Sequence, residues 1–97
     1  MKEIEISEKI HSIAPSSVIL FRGTMTYYAY GRDITVLREV LNDRVFTTSH
    51  DYNGQEIYLF NSVNLSEVLL ALARSAYEVI IVDNDMMLHM TPRTINF

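Results

Sequence analysis

Cysteine and long apolar runs are both missing from this 97-residue chain. Without cysteine the chain has no disulfide, no thiolate metal ligand and no cysteine nucleophile, a usage typical of a reducing cellular interior. No apolar run approaches the roughly 18 residues that predict a membrane-spanning helix. The first residues, Met1 to Ile6, mix acids with apolar side chains and lack the apolar core of a secretory signal. We therefore expect a cytoplasmic protein that does not contact a membrane.

A basic excess is also missing. Residues 1–48 carry six Lys and Arg against six Asp and Glu, whereas residues 49–97 carry two against six, so the second half holds the whole net charge of −4. Proteins that bind duplex DNA usually have a basic surface, because each phosphate that they neutralise contributes affinity through counterion release. Any contact with nucleic acid would therefore depend on a local patch, for which the candidates are Arg22, Arg32, Arg38 and Arg44.

The usual signatures of catalysis and metal binding are not found. His11, His50 and His89 lie far apart, and none has a second ligand at metal-binding spacing. The serines lack the glycine context of a nucleophile elbow, and no phosphate-binding Gly-x-x-x-x-Gly-Lys-Ser/Thr loop occurs. Asp83-Asn84-Asp85 follows a predicted strand and has cation-binding side chains, but a tight turn explains it more simply. We expect no enzyme activity, no metal and no cofactor.

What is present is an ordinary globular composition with alternating helix and strand patterns. Hydrophobic residues make up 48% of the chain and charged residues 21%, which is typical of one soluble domain covering residues 1–97. Periodicity and turn residues predict, in chain order, a helix capped by Ser7 and ended by Pro15, a strand at 18–21, a strand or exposed loop at 24–30, a helix from Asp33 to Asn42-Asp43, strands at 45–48 and 56–60, a helix after Asn64, a strand at 79–82 and an edge strand in the tail at 85–97 that frays after Pro92.

Local signals refine these assignments. Asn53-Gly54 predicts a type I′ hairpin turn, in which both residues have positive φ. Asn64 stands three residues before Glu67 and resembles a capping box. The run Val79 to Val82 is apolar on both faces, as expected in the middle of a sheet covered on both sides. The helical positions predicted to face the core are Ile6, Ile10 and Ile13, then Ile34, Leu37, Val40 and Leu41, then Leu65, Val68, Leu69, Leu72 and Ala76.

The stretch from Ser17 to Asp83 resembles the N-terminal mismatch-recognition domain of MutS. Ile19-Leu20-Phe21-Arg22 matches its first strand, and Ala76 to Asp83 matches its last. Between them, Phe60-Asn61 stands where the family has Phe-Pro, and Leu65 to Arg74 tracks the following helix. The similarity covers about two-thirds of the chain. It implies a single α/β domain with a central mixed β-sheet flanked by helices.

The positions that touch DNA in that family are changed here. The family arginine leads into Gly-Asp-Phe-Tyr-Glu, whereas Arg22 leads into a segment in which only Tyr27 keeps its identity. The phenylalanine that stacks on the mispaired base falls at Thr26, and the glutamate that hydrogen-bonds that base falls at Tyr28. The resemblance therefore implies a noncatalytic DNA-associated module without mismatch-specific reading, whose nucleic-acid-binding residues would be Arg22, Thr26, Tyr27, Tyr28 and Arg32.

Three interpretations of the tyrosine cluster at Tyr27, Tyr28 and Tyr30 remain open. With Arg22 and Arg32 the rings would offer stacking faces and phosphate donors to a single strand or a distorted duplex. Strand alternation instead predicts that Tyr28 and Tyr30 face the core while Tyr27 caps the sheet. The same side chains also suit a protein interface. The second functional hypothesis is accordingly a protein-interaction or self-associating module that retains the fold but not DNA binding.

Overall fold

The computed structural model describes residues 2–41, 45–83 and 93–95, the last three by their backbone alone. The three helices are α1 Glu3–Ile13, α2 Arg32–Val40 and α3 Leu65–Arg74, and the strands are β1 Ser17–Arg22, β2 Thr26–Tyr30, β3 Thr47–His50, β4 Glu56–Asn61, β5 Glu78–Asp83 and β6 Arg93–Ile95. The six strands of the described chain form one sheet in the order β3-β4-β2-β1-β5-β6. The pairs β1–β5 and β5–β6 are parallel, and the others are antiparallel. This mixed sheet with helices confirms the predicted α/β class.

Each face of the sheet packs against different helices. Strand alternation places Val18 and Leu20 of β1 in a larger core with α2 and α3, and places Ile19 and Phe21 in a smaller core with α1. All four side chains are fully buried. The predicted central strand at 79–82 is confirmed, because β5 is buried from Val79 to Asp83 between β1 and β6.

Helix α1 begins earlier than predicted. Its N-cap is Lys2, whose backbone N–H donates to the Glu5 side chain at 2.9 Å, and acids in the first turn suit the helix dipole. The prediction that Ser7 caps this helix is wrong, because Ser7 is buried inside it. Ile10 is buried as predicted, whereas Ile13 is 84% exposed.

Helix α2 begins one residue before the predicted cap. Gly31 is the N-cap and has a φ of 54°, a left-handed conformation that glycine adopts at little cost. The prediction that Asp33 caps α2 is wrong, because Asp33 lies in the first turn and is buried. Ile34 and Leu37 are buried as predicted, and Val40 and Leu41 pack against the same core, while the predicted end at 42–43 lies outside the described residues.

The predicted hairpin is confirmed, but its turn differs. Strands β3 and β4 pair antiparallel, and β3 begins two residues later than expected, at Thr47. Within residues 51–55 only Gly54 has a positive φ, of 79°, so the turn is not type I′. Instead Asp51 organises the loop: its Oδ1 accepts the backbone N–H groups of Asn53 at 2.8 Å and Gln55 at 3.0 Å.

The start of α3 also differs from the prediction. Asn64 makes no side-chain capping bond, so the predicted capping box is wrong. Asn61 acts one turn earlier, where its Oδ1 accepts the Val63 N–H at 3.0 Å and caps a 3-10 turn that runs into α3. Val68 and Leu72 are buried, and Leu65 and Leu69 pack beside them.

The segment after α3 contains one wrong core assignment. Ala76 is exposed, with a φ of 64°, in the turn that leads to β5. An edge strand does follow β5 as predicted, but it is Arg93–Ile95 and therefore comes after Pro92. Residues 84–92, where the strand was placed, lie outside the described part of the chain.

Candidate functional site

The predicted arginines do not converge. Arg22 ends β1 and Thr26 begins β2, so these two residues lie at the same end of one hairpin. Arg32 begins α2, beyond the other end of β2, and roughly 13 Å of strand separates the two ends. The Arg32 guanidinium donates to the carbonyl oxygen of Pro15. Of the five predicted nucleic-acid-binding residues, Arg22 pairs with Tyr27 across the hairpin and Thr26 precedes Tyr27, whereas Arg32 lies beyond the other end of β2.

The remaining basic candidates are also engaged or outside the described residues. The Arg22 guanidinium lies 3.6 Å from the buried Asp83 carboxylate. Asp83, the first residue of the predicted Asp83-Asn84-Asp85 turn, therefore forms an ion pair with Arg22. The Arg38 guanidinium carbon lies 5.0 Å from the ring centroid of Tyr58, a cation–π arrangement. Arg44 lies outside the described residues. Each of the three described candidate arginines thus contacts another group of the protein.

The predicted tyrosines lie on opposite faces of the sheet. Tyr27 is 8% exposed and stacks on Phe60, with ring centroids 5.7 Å apart, in the core under α2 and α3. The prediction that Tyr27 caps the sheet is therefore wrong. Tyr28 and Tyr30 point to the α1 face as alternation predicted, and both rings pack against Phe21.

A cluster of two tyrosines and two carboxylates forms on the α1 face. The Tyr28 hydroxyl lies 2.6 Å from Glu3 Oε2, and the Tyr30 hydroxyl lies 3.0 Å from Glu3 Oε1 and 2.7 Å from Asp51 Oδ2. We call Glu3, Tyr28, Tyr30 and Asp51 the carboxylate–tyrosine cluster. Sequence reasoning identified its tyrosines but missed both carboxylates.

Each member of the cluster is placed by its own element. Tyr28 and Tyr30 are alternate residues of β2 and so share a face. Glu3 lies in the first turn of α1, where the helix dipole favours an acid. Asp51 follows β3 directly, and its second carboxylate oxygen is held by the loop N–H groups.

The hydrogen-bond count of the cluster is uneven. Among the described residues, two tyrosine hydroxyl hydrogens serve three carboxylate oxygens of Glu3 and Asp51. Burial raises the pKa of Tyr30, and its contacts with Asp51 and Glu3 raise that pKa further, so the hydroxyl stays protonated. Its hydrogen bond is the largest cause that lowers the pKa of Asp51. The charge of Lys2 also lowers the pKa of Asp51, so the carboxylates of the cluster attract hydrogen-bond donors and positive charge.

A cavity of about 300 Å³ opens beside the cluster. Its lining residues are Glu3, Tyr28, His50, Asp51, Tyr52 and Ile57. The Tyr52 ring is fully exposed at this site. Carboxylates form charge-assisted hydrogen bonds with ammonium and guanidinium groups, and tyrosine faces attract the same cations. The cavity is thus suited to a cationic side chain and unsuited to phosphate.

A second titratable pair is buried where α1 meets α2. His11 Nε2 lies 2.9 and 3.0 Å from the two carboxylate oxygens of Asp33, and both side chains are buried. Burial raises the pKa of Asp33, an effect that His11 and a backbone hydrogen bond from Ile19 oppose. His11 Nδ1 has no hydrogen-bond partner among the described residues. Sequence reasoning missed this pair because its members are 22 residues apart.

Neither site gathers the ligands of a metal centre. Within residues 2–41, 45–83 and 93–95, no three His, Cys, Asp or Glu side chains group in a way that would hold a metal ion. Of the other histidines, His50 lines the cavity at the cluster and His89 lies outside the described residues.

In residues 2–41, 45–83 and 93–95, no helix has the length and apolar character needed to span a bilayer.

Comparison with known proteins gives no relative. No family model, curated protein or solved structure matches the chain. The likeness to the mismatch-recognition domain of MutS therefore stays an interpretation of the sequence, and function must be argued from the geometry of the sites.

Stability is expected to fall as the pH rises above 10 because of Tyr30. The ordinary tyrosine pKa is 10.0 and burial raises that of Tyr30, so above pH 10 the folded chain retains a proton that the unfolded chain releases. The stabilisation by this hydroxyl is thus complete below pH 10 and is lost at about 1.4 kcal/mol per pH unit above it. Urea unfolding between pH 8 and 11 should show a shallower loss in Tyr30→Phe than in the wild type. Tyr52→Phe, at an exposed ring, should keep the wild-type slope, and an equal slope in Tyr30→Phe would contradict the assignment.

Proposed function

We propose that this chain is a noncatalytic protein-interaction module that recognises a positively charged segment of a protein partner at the carboxylate–tyrosine cluster. One observation carries this proposal: the hydroxyls of Tyr28 and Tyr30 meet the carboxylates of Glu3 and Asp51. Tyrosines that converge with arginines would attract phosphate, whereas tyrosines that converge with Glu3 and Asp51 attract lysine or arginine.

The charge distribution agrees with this proposal. The net charge is −4, and all of it comes from the half of the chain that contains Asp51. A negative surface speeds the approach of a basic partner and slows the approach of nucleic acid. Tyrosine is also among the residues enriched in the buried centres of protein interfaces.

A titration with defined probes tests the proposal. A fluorescent octalysine peptide is expected to bind in an anisotropy assay at low salt, with an affinity that falls as salt rises. The Glu3→Gln/Asp51→Asn double variant should bind about tenfold more weakly, because the cationic side chain loses both charged acceptors. An octaglutamate peptide should not bind to either protein.

The matched control removes the same charge elsewhere. Glu39 and Glu67 are exposed acids on α2 and α3, so Glu39→Gln/Glu67→Gln changes the net charge equally without touching the cluster. This control should keep its octalysine affinity within about twofold, because exposed charges at a distance are screened. Equal losses in both double variants, or no binding of octalysine to the wild type, would overturn the proposal.

DNA association is a second candidate, favoured by the position of Arg22 and Thr26 at one hairpin end with the Arg22 side chain 45% exposed. The same assay would use matched duplex, G·T-mismatched duplex and single-stranded DNA. Salt-sensitive duplex binding that weakens and shows a flatter salt dependence in Arg22→Ala would favour this candidate, because phosphate contacts set that dependence. Equal affinity for matched and mismatched duplex would agree with the changed residues at Thr26 and Tyr28.

A further inference from the structure

Within the described residues, strand β3 is an edge of the sheet. It is paired on one side by β4, and in the described strand order no strand lies on its other side. Its sequence, Thr47-Thr48-Ser49-His50, contains no Lys, Arg, Asp, Glu or Pro, and three of its four residues are exposed. Edge strands usually carry charges, proline or a bulge that discourage pairing with another chain. An edge of β-branched and small polar residues is instead suited to accept a strand.

This edge adjoins the cavity of the carboxylate–tyrosine cluster. His50 ends β3 and lines the cavity, and Asp51 is the next residue of the chain. Ser49 pairs across the ladder with Ile57, another lining residue. An extended segment along β3 would therefore pass the mouth of the cavity, and its alternate side chains would face it.

We propose that the basic partner segment binds as an added β-strand along the outer edge of β3 and places a lysine or arginine side chain in the cavity between Glu3 and Asp51. This inference rests on the proposed function and specifies how the partner binds. Main-chain hydrogen bonds to β3 supply affinity that does not depend on sequence, and the cavity selects the charge of one side chain.

Charge complementarity selects this occupant over the alternatives. A second copy of the chain could pair its own β3 with this edge, but that strand carries no lysine or arginine to meet the two carboxylates. Duplex DNA has no peptide groups to join the ladder, and its phosphates would face Glu3 and Asp51. An extended basic peptide satisfies both the edge and the cavity.

Backbone N-methylation separates strand addition from simple charge attraction. The parent probe is an octapeptide of alternating lysine and valine. It is compared with two N-methylated derivatives, called its twins, of which one is methylated at every lysine and the other at every valine. The three peptides have the same charge and side chains, but each twin loses the main-chain donors of one peptide edge. Because the lysines must face the cavity, only one peptide edge meets β3, and only one twin should bind about tenfold more weakly than the parent.

Hydrogen exchange locates the binding. The parent peptide should slow the exchange of amides within Thr47–His50, and the weakened twin should not. If both twins bind like the parent and these amides are unchanged, strand addition is overturned while recognition of charge at the cluster stands. If the parent peptide does not bind at all, the proposed function fails as well. A dimer in sedimentation velocity without peptide, with β3 amides protected, would assign the edge to a second copy and overturn the proposal.

Discussion

Tyr27→Ala is expected to lower the free energy of unfolding by about 3 kcal/mol. The side chain is 8% exposed and stacks on Phe60 with an interplanar angle of 17°, and Phe60 packs edge-on against Phe46. Removing the ring therefore opens a cavity between β2 and the helices above it. Urea unfolding at pH 7, with unchanged slope against denaturant, measures the loss.

Two variants test whether this loss comes from the ring. Tyr27→Phe keeps the stack and should cost less than about 1 kcal/mol. Tyr52→Ala removes an exposed tyrosine and should change stability by less than about 0.5 kcal/mol. A stable Tyr27→Ala protein with reduced DNA binding would contradict this core position and support the role that the resemblance implied.

Asp33→Ala is expected to cost a similar amount, about 3 kcal/mol. Its carboxylate accepts from His11 Nε2 at 2.9 and 3.0 Å, and it also receives a backbone hydrogen bond from Ile19 of β1. Alanine would leave both donors buried without an acceptor. The carboxylate thus links α1, α2 and the central sheet, and urea unfolding at pH 7 again measures the effect.

A double-mutant cycle isolates the pair. Asp33→Asn keeps one acceptor oxygen and should cost less than Asp33→Ala. His11→Ala and the double variant His11→Ala/Asp33→Ala complete the cycle, and the coupling energy should exceed about 1 kcal/mol because the groups are in contact. Additive losses would show that the two side chains do not stabilise each other.

Segments whose apolar pattern is continuous were predicted well. Strands β1 and β5 are apolar on both faces, and such a run can only be stable where both faces are covered. The hairpin was recoverable because Gly54 supplies a positive φ that few other residues adopt cheaply. These signals are local, and they determine the α/β class.

The side-chain caps of the three helices were predicted poorly. Ser7, Asp33 and Asn64 all have short polar side chains that suit a helix start. Asp33 instead bonds His11 on another helix, Ser7 is buried within α1, and Asn64 is the N-cap residue of α3 but makes no side-chain bond there. At Asp33 the distant partner outweighs the local preference, because an unpaired buried polar group costs more than a cap contributes.

In the candidate site, the shared face of the tyrosines was predicted from the sequence, but their carboxylate partners were not. Alternation along β2 is a property of neighbouring residues, and it correctly placed Tyr28 and Tyr30 on one face. The groups that meet them come from the start of α1 and the end of β3, 25 and 21 residues away. The chain order thus sets which residues can share a face, while the pairing of strands and the docking of α1 decide that the tyrosines meet carboxylates. Hydrogen bonds and charges depend on distances in space, and only the packed sheet creates those distances.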